Sequence, residues 1–238
     1  MQYVVLAAGL GSRFKKEGID TPKPLVDILG RPMIERLISV LMDCGAERIY
    51  IVANSRMTEL VEHLNGLKAK GLPLDVRPIV SDNSYYSLSE ACKGVKGKFI
   101  AMTVDSIFPT AEFRRYVEEV SAMPAGVVKM GLTRFVDDES PLYARMGEGG
   151  EVVDYRYGGE PFPGDVIVSA GLYGLTDEAM EVVATREGYP ESLSDFQRIL
   201  AAETDIKVLP FEFSKALDVD CTHDRTVAEN FLREVNGE

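Results

Sequence analysis

The chain has 238 residues, of which 45% are hydrophobic and 27% charged, so it is long enough to bury a sizeable core. Its formal net charge of −12 argues against a nucleic-acid surface, which would need a basic stripe. No apolar run approaches the roughly 20 residues that cross a membrane, and the short apolar start before Arg13 does not resemble a secretory signal. Because the three cysteines (Cys44, Cys92 and Cys221) are widely scattered, we expect reduced thiols and a cytoplasmic location. From the negative charge and the lack of a long apolar run, we expect neither nucleic-acid nor membrane partners.

Strands and helices alternate through the first half of the chain. Apolar runs predict strands near 4–6, 49–52, 74–80 and 98–104, and helical periodicity predicts helices over 32–44, 57–70 and 110–122, with a shorter helix after a polar entry at 81. This order predicts a three-layer α/β/α fold with a mostly parallel, Rossmann-like mixed sheet. Ligands of such sheets lie beyond the carboxyl ends of the strands, where the glycine-rich loop, Asn54, the Asp82–Ser87 loop and Asp105 would meet.

The regularity loosens after Gly126, and we expect a small antiparallel addition there. Strands are predicted at 127–132, 152–157, 166–173 and 206–213, and helices at Thr176–Glu187, at Asp195–Glu203 and from about Thr222. No linker marks a domain break, so we predict a single domain over 1–238. Within it we expect a nucleotide-binding half (about 1–125), an acceptor-binding part (about 126–215) and a C-terminal metal segment and helix (216–238).

The stretch around 4–28 predicts a phosphate site. A short strand meets two alanines and the loop Gly9-Leu10-Gly11-Ser12-Arg13, whose small residues let backbone N–H groups approach a ligand. Arg13 and Lys23 add two cations. Residues 1–36 hold six Lys or Arg and four acids, a net +2, so the remainder carries −14. A positive pocket in an acidic protein suits a small polyphosphate.

Two common phosphate loops do not match. A dinucleotide-binding fingerprint needs a third glycine where this chain has Phe14, and a P-loop needs a Gly-Lys-Ser/Thr run, which is absent. What remains, LAAGLGSR over Leu6–Arg13 and PKPL over Pro22–Leu25, resembles the motifs of a nucleotidyltransferase family, the sugar-1-phosphate nucleotidyltransferases and MobA-like NTP transferases.

The resemblance implies a Mg²⁺-dependent enzyme. It would transfer a nucleoside monophosphate from an NTP to a sugar 1-phosphate or a similar phosphate acceptor and release pyrophosphate. The catalytic residues it implies are Arg13 and Lys23. Resemblance and position at the rim together predict a nucleotide-binding set: Leu6, Ala7, Ala8, Gly9, Gly11, Ser12, Arg13, Lys23, Asn54, Asn83 and Ser87.

Two acidic features predict the metal site. Asp105 ends an apolar strand, where an acid can also simply cap the next turn, and the resemblance implies a Mg²⁺-binding aspartate there. In Asp218-Val219-Asp220, residues two apart share a strand face, so both carboxylates could address one cation. We favour Asp220 as the second ligand, with Asp218 next. The absence of a His/Cys set favours Mg²⁺ over zinc.

The segment after these aspartates departs from the family motif. Members carry a run shaped like D-V-D/G-T-P-E-D, and this chain has Cys221-Thr222-His223 in place of T-P-E. The carboxylates remain, but the start of the last helix changes. We expect Thr222 or Asp224 to cap that helix rather than to take part in chemistry.

Acceptor-binding candidates are Ser169 and Gly171, from a run that resembles the family's N-A-G-I-Y strand, and Lys215, a candidate phosphate ligand or a solvated lysine. The 82–89 loop resembles the N-x-x-Y-S-L run of phosphocholine cytidylyltransferases. Six tyrosines could form a cage for a quaternary amine or simply pack in the core: Tyr85, Tyr86, Tyr143, Tyr155, Tyr157 and Tyr173. We therefore place a sugar 1-phosphate first and a choline-type phosphate second.

Two further alternatives remain open. A metal-dependent, GT-A-like glycosyltransferase shares the α/β plan and uses a D-x-D motif, although in those enzymes the motif follows a central strand, where this chain has only Val104-Asp105-Ser106. A non-catalytic nucleotide-binding regulator would bind without turnover. Acceptor-dependent pyrophosphate release separates the proposed enzyme from both.

Overall fold

Strands and helices alternate through the first half of the computed structural model, which describes residues 1–81, 83–185, 188 and 190–236. Asp82 of the predicted loop and Glu187 of a predicted helix lie outside the described residues. The elements of this half are β1 (Gln2–Ala7), α1 (Ser12–Lys16), β2 (Asp27–Ile28), β3 (Arg31–Pro32), α2 (Met33–Asp43), β4 (Arg48–Asn54), α3 (Thr58–Ala69), β5 (Leu74–Ile79), α4 (Ser84–Cys92), β6 (Lys98–Thr103), β7 (Ser106–Ile107) and α5 (Thr110–Ser121).

The second half supplies most of the antiparallel pairing. Its elements are β8 (Val127–Thr133), β9 (Leu142–Met146), β10 (Val152–Tyr157), β11 (Val168–Thr176), α6 (Asp177–Ala184), α7 (Leu193–Ala202), β12 (Lys207–Phe213), β13 (Leu217–Asp218) and α8 (Thr222–Asn236). None of the helices in the described ranges combines the length and the apolar character needed to span a bilayer. The three cysteines form no disulfide, as expected.

One mixed sheet organises the fold. Its strands run in the order β10-β9-β11-β6-β1-β4-β5, and β8 pairs with both β11 and β12. The central strands β6, β1, β4 and β5 are parallel, whereas β11 runs antiparallel to β6 and begins the antiparallel addition. The predicted three-layer α/β/α architecture with a mixed, mostly parallel Rossmann-like sheet is confirmed.

Strand alternation divides the core into two layers. Along β1, Tyr3 and Val5 face a cluster built with α2, α3 and α5, whereas Val4 and Leu6 face a second cluster built with α4, α6 and α7. Both faces of β1 are therefore apolar, because a parallel strand covered by helices on both sides has no solvent face. The sheet is buried, and its ligand-accessible part is the edge at the strands' carboxyl ends.

A third apolar cluster ties the two ends of the chain together. Phe14 of α1, Ile28 of β2 and Ile107 of β7 pack in the same cluster as Val219 and Phe231 from the C-terminal segment. Phe14, which stands where a dinucleotide fingerprint has glycine, is therefore a buried anchor for α1. This packing holds the glycine-rich loop against the returning C-terminal chain.

Helix α2 illustrates how closely sequence periodicity predicts an element. Ile34, Leu37 and Leu41 are buried on one side, as the 3.6-residue period requires. The helix ends before Gly45, which has φ of 72° and whose N–H donates to the Met42 carbonyl. The predicted range of 32–44 becomes Met33–Asp43 in the structure.

Short elements were not predicted. Strand β9 (Leu142–Met146) buries only Ala144, so its sequence has no alternation strong enough to reveal a strand, and its pairing with β10 establishes it. Helix α1 has five residues, too few for a helical period, and it begins inside the predicted glycine-rich loop. The predicted start of α7 at Asp195 was late, because Ser192 caps the helix by accepting from the Asp195 N–H.

Phe196→Ala should lower the free energy of unfolding by about 3–5 kcal/mol, since it empties a fully buried site on α7. The Phe196 ring stacks on Tyr85 of α4 with centroids 5.4 Å apart, so the cavity would open between two helices of the same layer. Urea unfolding measures the change. Tyr157→Ala, at a position 67% exposed, is the matched aromatic control and should change stability by less than about 0.5 kcal/mol. Equal losses would contradict this assignment of the core.

Candidate active site

The glycine-rich loop and the Lys23 segment touch directly. Gly11 has φ of 62° and precedes α1, and a Cβ built on it would lie 2.8 Å from the Lys23 Cβ. Only glycine fits such a contact in this left-handed conformation without strain. The two halves of the sequence motif therefore form one surface.

Lys23 lies in a 3₁₀ turn over Lys23–Leu25 and is only 7% exposed. Its ammonium donates to Asp105 Oδ2 and to Asp220 Oδ1, carboxylates that come from residues 82 and 197 positions away in the sequence. Loss of water would by itself lower the pKa of this amine, but the two carboxylates raise it above its usual range. Lys23 is therefore a fixed, buried positive charge.

Asp105 lies in the turn between β6 and β7 and is 18% exposed. Burial alone would raise the pKa of Asp105, but the Lys23 ammonium holds it below its usual range. Its backbone carbonyl accepts from the Val219 N–H at 3.1 Å. Its Oδ1 atom is buried and has no hydrogen-bond partner within the described ranges.

A two-residue ribbon brings the C-terminal aspartates to Asp105. Strands β7 and β13 pair antiparallel, with Leu217 opposite Ile107 and Asp218 opposite Ser106. The Ser106 hydroxyl donates to Asp218 Oδ1 at 2.9 Å. The backbone pairing of β7 and β13 therefore places Asp218 beside Ser106.

Asp218 and Asp220 contact different groups. The strand ends at Asp218, so the alternation that was expected to align their side chains does not extend to Asp220. Asp220 Oδ1 accepts from Lys23, and its Oδ2 accepts from Arg13 Nη1 at 3.1 Å. The buried Val219 between them anchors the turn in the third cluster.

The Asp218 carboxyl has an unusual charge environment. Desolvation by the surrounding protein and, after it, repulsion by the Asp105 carboxylate raise the pKa of Asp218 to about 7. Because the side chain keeps an exposed surface at the cleft, we attribute the direction of this shift mainly to Asp105. Asp218 is thus the one of the three aspartates whose charge is least stabilised.

Asp224 caps the last helix, which confirms one of the two predicted alternatives. Its Oδ2 accepts from the backbone N–H groups of Asp220 at 2.9 Å and Cys221 at 3.1 Å. Thr222 instead donates through both its N–H and its hydroxyl to Glu17. Asp224 therefore fixes the backbone of Asp220, while Lys23 and Arg13 fix its side chain.

A cleft of about 650 Å³ opens beside Asp218, Asp220 and Asp224. Arg13 and Lys16 supply positive charge, and the acids lining it outnumber them: Glu17, Asp137, Asp138, Glu139, Asp218, Asp220 and Asp224. The volume suits a small ligand. A ligand that carries cationic groups would balance the negative charge of these carboxylates.

A family model covers the part of the chain that carries the glycine-rich loop. Residues 3–134, more than half of the chain, match the model of the MobA-like NTP transferase domain. The chain belongs to this family. The predicted relationship to the nucleotidyltransferases is thereby confirmed, and the matched range contains the glycine-rich loop, Lys23 and Asp105.

Individual relatives agree with the family assignment. The chain is 32% identical over 233 residues, 96% of its length, to a bifunctional IPC transferase and DIPP synthase from Aquifex aeolicus, and the match covers 51% of that protein. The chain thus spans about half of this curated relative's length, and 30% and 20% of two others that it matches.

Solved structures share the fold. The inositol-1-phosphate CTP transferase from T. maritima superposes with a TM-score of 0.78 at 21% identity, covering 98% of this chain and 96% of that one. The CTP:phosphocholine cytidylyltransferase from Streptococcus pneumoniae superposes with a TM-score of 0.73 at 19% identity, covering 97% and 98%. The predicted similarity to phosphocholine cytidylyltransferases is therefore present at the level of the fold.

The donor set of this MobA-like domain fits a hard divalent cation. Asp105, Asp218 and Asp220 offer only carboxylate oxygens, which Mg²⁺ prefers, and the buried Asp105 Oδ1 has a free lone pair. Within the described residues, no group of three or more His, Cys, Asp or Glu is already arranged around a metal position. The Lys23 ammonium instead lies between Asp105 and Asp220.

The predicted nucleotide-binding residues fall into two groups. Leu6 and Ala7 form the buried end of β1, and the buried Ala8 follows them, while Gly9 and Ser12 are exposed on the loop beside Arg13. Asn54 ties the next strand to this loop, because its Nδ2 donates to the Ala8 carbonyl at 3.4 Å.

Asn83 and Ser87 hold helix α4. The Asn83 side chain accepts from the Tyr86 N–H at 2.7 Å as the cap of α4, and the buried Ser87 hydroxyl donates to Ser81 Oγ at 2.7 Å. Their hydrogen bonds therefore stabilise the start of α4, and their predicted contact with a nucleotide stays a prediction.

Of the three predicted acceptor residues, Ser169 lines a pocket beside Asp218, and Gly171 lies close to the same carboxylate. Lys215 lies over the rings of Phe135 (4.3 Å) and Phe231 (4.9 Å), which directs its ammonium to the third cluster. The Ser169 hydroxyl donates to Gln197 Oε1 at 2.8 Å. Gly171 has φ of 71°, and a Cβ on it would meet Ser106 Oγ at 2.4 Å. Gly171 therefore provides space for Ser106, and its contact with an acceptor stays a prediction.

Sequence reasoning missed two contributors to the site. Ser106, which positions Asp218, carried no signal beyond its place after Asp105. The acids Asp137, Asp138 and Glu139, interpreted only as a polar stretch, line the cleft. Three consecutive acids a few residues after the buried strand β8 were the available signal.

Gly11→Ala should lower kcat/KM by about 10²-fold, because the added methyl displaces Lys23 from its carboxylates and sub-ångström placement matters for catalysis. The measurement is nucleotidyl transfer with the best substrate pair. Gly18→Ala is the matched control, since Gly18 also has a left-handed φ (82°) but no atom within 4 Å of an added Cβ. Similar activity losses in both variants would mean that backbone strain, not Lys23, is responsible.

Proposed function

We propose that this chain is a Mg²⁺-dependent nucleotidyltransferase that moves a nucleoside monophosphate from an NTP to a small phosphorylated acceptor, releasing pyrophosphate. The nucleotide would bind to the half over about 1–125 and the acceptor to the part over about 126–215. One observation carries the proposal: Arg13 and Lys23 of the glycine-rich site reach the carboxylates of Asp105 and Asp220 at the carboxyl edge of the parallel strands.

The reaction is an in-line displacement at the α-phosphorus. An acceptor phosphate oxygen forms the new P–O bond, and the bond to the β-phosphate breaks as pyrophosphate leaves. The acceptor oxygen is already anionic, so no protein nucleophile is needed. Catalysis then rests on positioning and on stabilising charge.

The two cations divide this task. Lys23, fixed near the centre of the site, would donate to the transferred α-phosphate. Arg13, on the exposed loop, would stabilise the departing pyrophosphate. Asp105 and Asp220 would hold Mg²⁺, which when bound would neutralise phosphate charge between the two substrates.

A sugar 1-phosphate or a related polyol phosphate is the first candidate acceptor. The family's relatives support it, including a solved neighbour described as an inositol-1-phosphate CTP transferase. Of the six tyrosines considered for an amine cage, Tyr85, Tyr155 and Tyr173 are buried in the core, whereas Tyr86 and Tyr157 keep exposed surface.

A phosphorylated amine is the second candidate acceptor. The acids of the 137–139 loop line the cleft beside Asp218, and they would pair with a positively charged acceptor rather than with a neutral sugar. A solved neighbour described as a CTP:phosphocholine cytidylyltransferase has the same fold.

A pyrophosphate-release assay tests both candidates. The four common NTPs are combined with a sugar 1-phosphate, inositol 1-phosphate, phosphocholine and phosphoethanolamine, with and without Mg²⁺. We expect release only with one acceptor class and only with Mg²⁺. Consumption of a sugar nucleotide would support the glycosyltransferase alternative, and nucleotide binding without turnover on any acceptor would support a regulator. Either result would overturn the proposal.

A further inference from the structure

A lysine occupies the position between the carboxylates that would hold the metal. The Lys23 ammonium contacts Asp105 Oδ2 and Asp220 Oδ1 at the same time. The exposed Arg13 contacts only Asp220, through its other oxygen. Of the two cations, Lys23 alone bridges the strand-end aspartate and the C-terminal aspartate in the described structure.

This arrangement has an electrostatic cause. Carboxylates brought together at a buried position need a cation, and a buried ammonium needs counterions, so each stabilises the other in the ligand-free protein. A divalent ion held by Asp105 and Asp220 would compete for the same oxygen atoms. Asp105 Oδ1 remains available, but this single oxygen atom cannot replace a site formed by both Asp105 and Asp220.

We propose that Lys23 is the internal counter-cation of the metal site, so that the metal ion and the Lys23 ammonium bind Asp105 and Asp220 competitively. This inference rests on the proposed function. Metal binding without nucleotide is then opposed by loss of the Lys23 ion pairs. When the nucleotide is present, its phosphate offers Lys23 a new partner, and this penalty disappears.

The local backbone suits such an exchange. Lys23 is flanked by Pro22 and Pro24 in a short 3₁₀ turn, and Gly11 packs against its Cβ, so the start of the side chain is fixed. Beyond Cβ, a flexible four-carbon stem carries the ammonium, which can move from the carboxylates to a nearby phosphate without backbone movement.

The exchange couples the two ligands. A nucleotide that removes Lys23 from the carboxylates raises the affinity for metal, and by linkage the metal raises the affinity for nucleotide by the same factor. The ligand-free protein therefore resists metal alone, and the complete site forms when both arrive.

The first test measures Mg²⁺ affinity by calorimetry and thermal shift without nucleotide or acceptor. Lys23→Met keeps the side-chain length and removes the charge, and it should bind Mg²⁺ at least about tenfold more tightly than the wild type. Lys16→Met is the matched control, because Lys16 lines the same cleft but does not bridge the carboxylates. An unchanged affinity in Lys23→Met, or an equal gain in Lys16→Met, would overturn the proposal.

The second test uses the wild-type protein, so it does not depend on folding of the variant. Acetylation of individual lysines by an amine-reactive reagent is followed by mass spectrometry while Mg²⁺ is raised at constant ionic strength. Binding of the metal should release the buried Lys23 and increase its acetylation rate several-fold, while Lys16 serves as the internal standard. A constant Lys23 rate at Mg²⁺ concentrations that saturate the protein would contradict competition.

These measurements separate the inference from the proposed function. They contain no substrate pair, so their outcome reports only on Lys23, the two aspartates and the metal. A protein that passes both tests but releases no pyrophosphate with any acceptor would have the competition without the proposed reaction. A protein that releases pyrophosphate but fails both tests would have the reaction without the competition.

Discussion

Lys23→Ala is expected to lower the turnover number for pyrophosphate release by about 10²–10³-fold, the usual loss when one electrostatic stabiliser of a transition state is removed. The physical reason is the position of the ammonium, which is fixed at the meeting point of the glycine-rich loop, Asp105 and Asp220. Steady-state kinetics with the best NTP and acceptor pair measure the change.

Lys16→Ala is the control for the Lys23 variant. It removes a positive charge from the same cleft without touching the two carboxylates, so its turnover number should stay within about tenfold of the wild type. Circular dichroism and thermal unfolding establish that each variant is folded. A folded Lys23→Ala protein with nearly full turnover would remove Lys23 from the proposed machinery.

Asp105→Asn should reduce kcat/KM by about 100-fold or more, because even indirect partners of a metal typically contribute 10–100-fold and Asp105 is proposed as a direct ligand. The amide keeps the size of the side chain and can still accept from Lys23, but it loses the charge that a Mg²⁺ site needs. The Mg²⁺ concentration that gives half-maximal activity should also be higher for Asp105→Asn than for the wild type, which a Mg²⁺ titration of the activity measures.

Two further variants distinguish the C-terminal aspartates. Asp220→Asn should resemble Asp105→Asn, since both carboxylates contact Lys23. Asp218→Asn should lose less, within about tenfold, because an asparagine oxygen still accepts from the Ser106 hydroxyl. If Asp218→Asn shows the larger loss and the larger rise in required Mg²⁺, Asp218 rather than Asp220 is the second ligand.

Much of the fold was predictable because its signals are local. The period of buried positions in α2 predicted that helix, and the apolar runs of β1, β4, β5 and β6 predicted four parallel strands. The elements that were missed, β9 and the short α1, β2, β3 and β7, are too short or too exposed to carry a period. The existence of these strands depends on a partner strand, which a local pattern does not contain.

Side-chain roles were less predictable than backbone elements. Lys215 was expected at the cleft, but two aromatic rings from different parts of the chain hold its ammonium. Asn83 and Ser87 were expected to face a nucleotide. In the structure the Asn83 side chain accepts from the Tyr86 N–H, and the Ser87 hydroxyl donates to Ser81 Oγ and to the Asn83 carbonyl. For Lys215 and Ser87, a contacting partner lies outside the motif that suggested the role.

The sequence by itself determined the family, and it predicted the phosphate site. The runs Leu6–Arg13 and Pro22–Leu25 each encode a local conformation, and small residues, prolines and cations retain their meaning wherever the loop is placed. Only the tertiary structure decided that Lys23 bridges Asp105 and Asp220, and that Asp218 pairs with Ser106 instead. The register between β7 and β13 makes that choice, because the pairing of residues more than a hundred positions apart is a property of the packed chain.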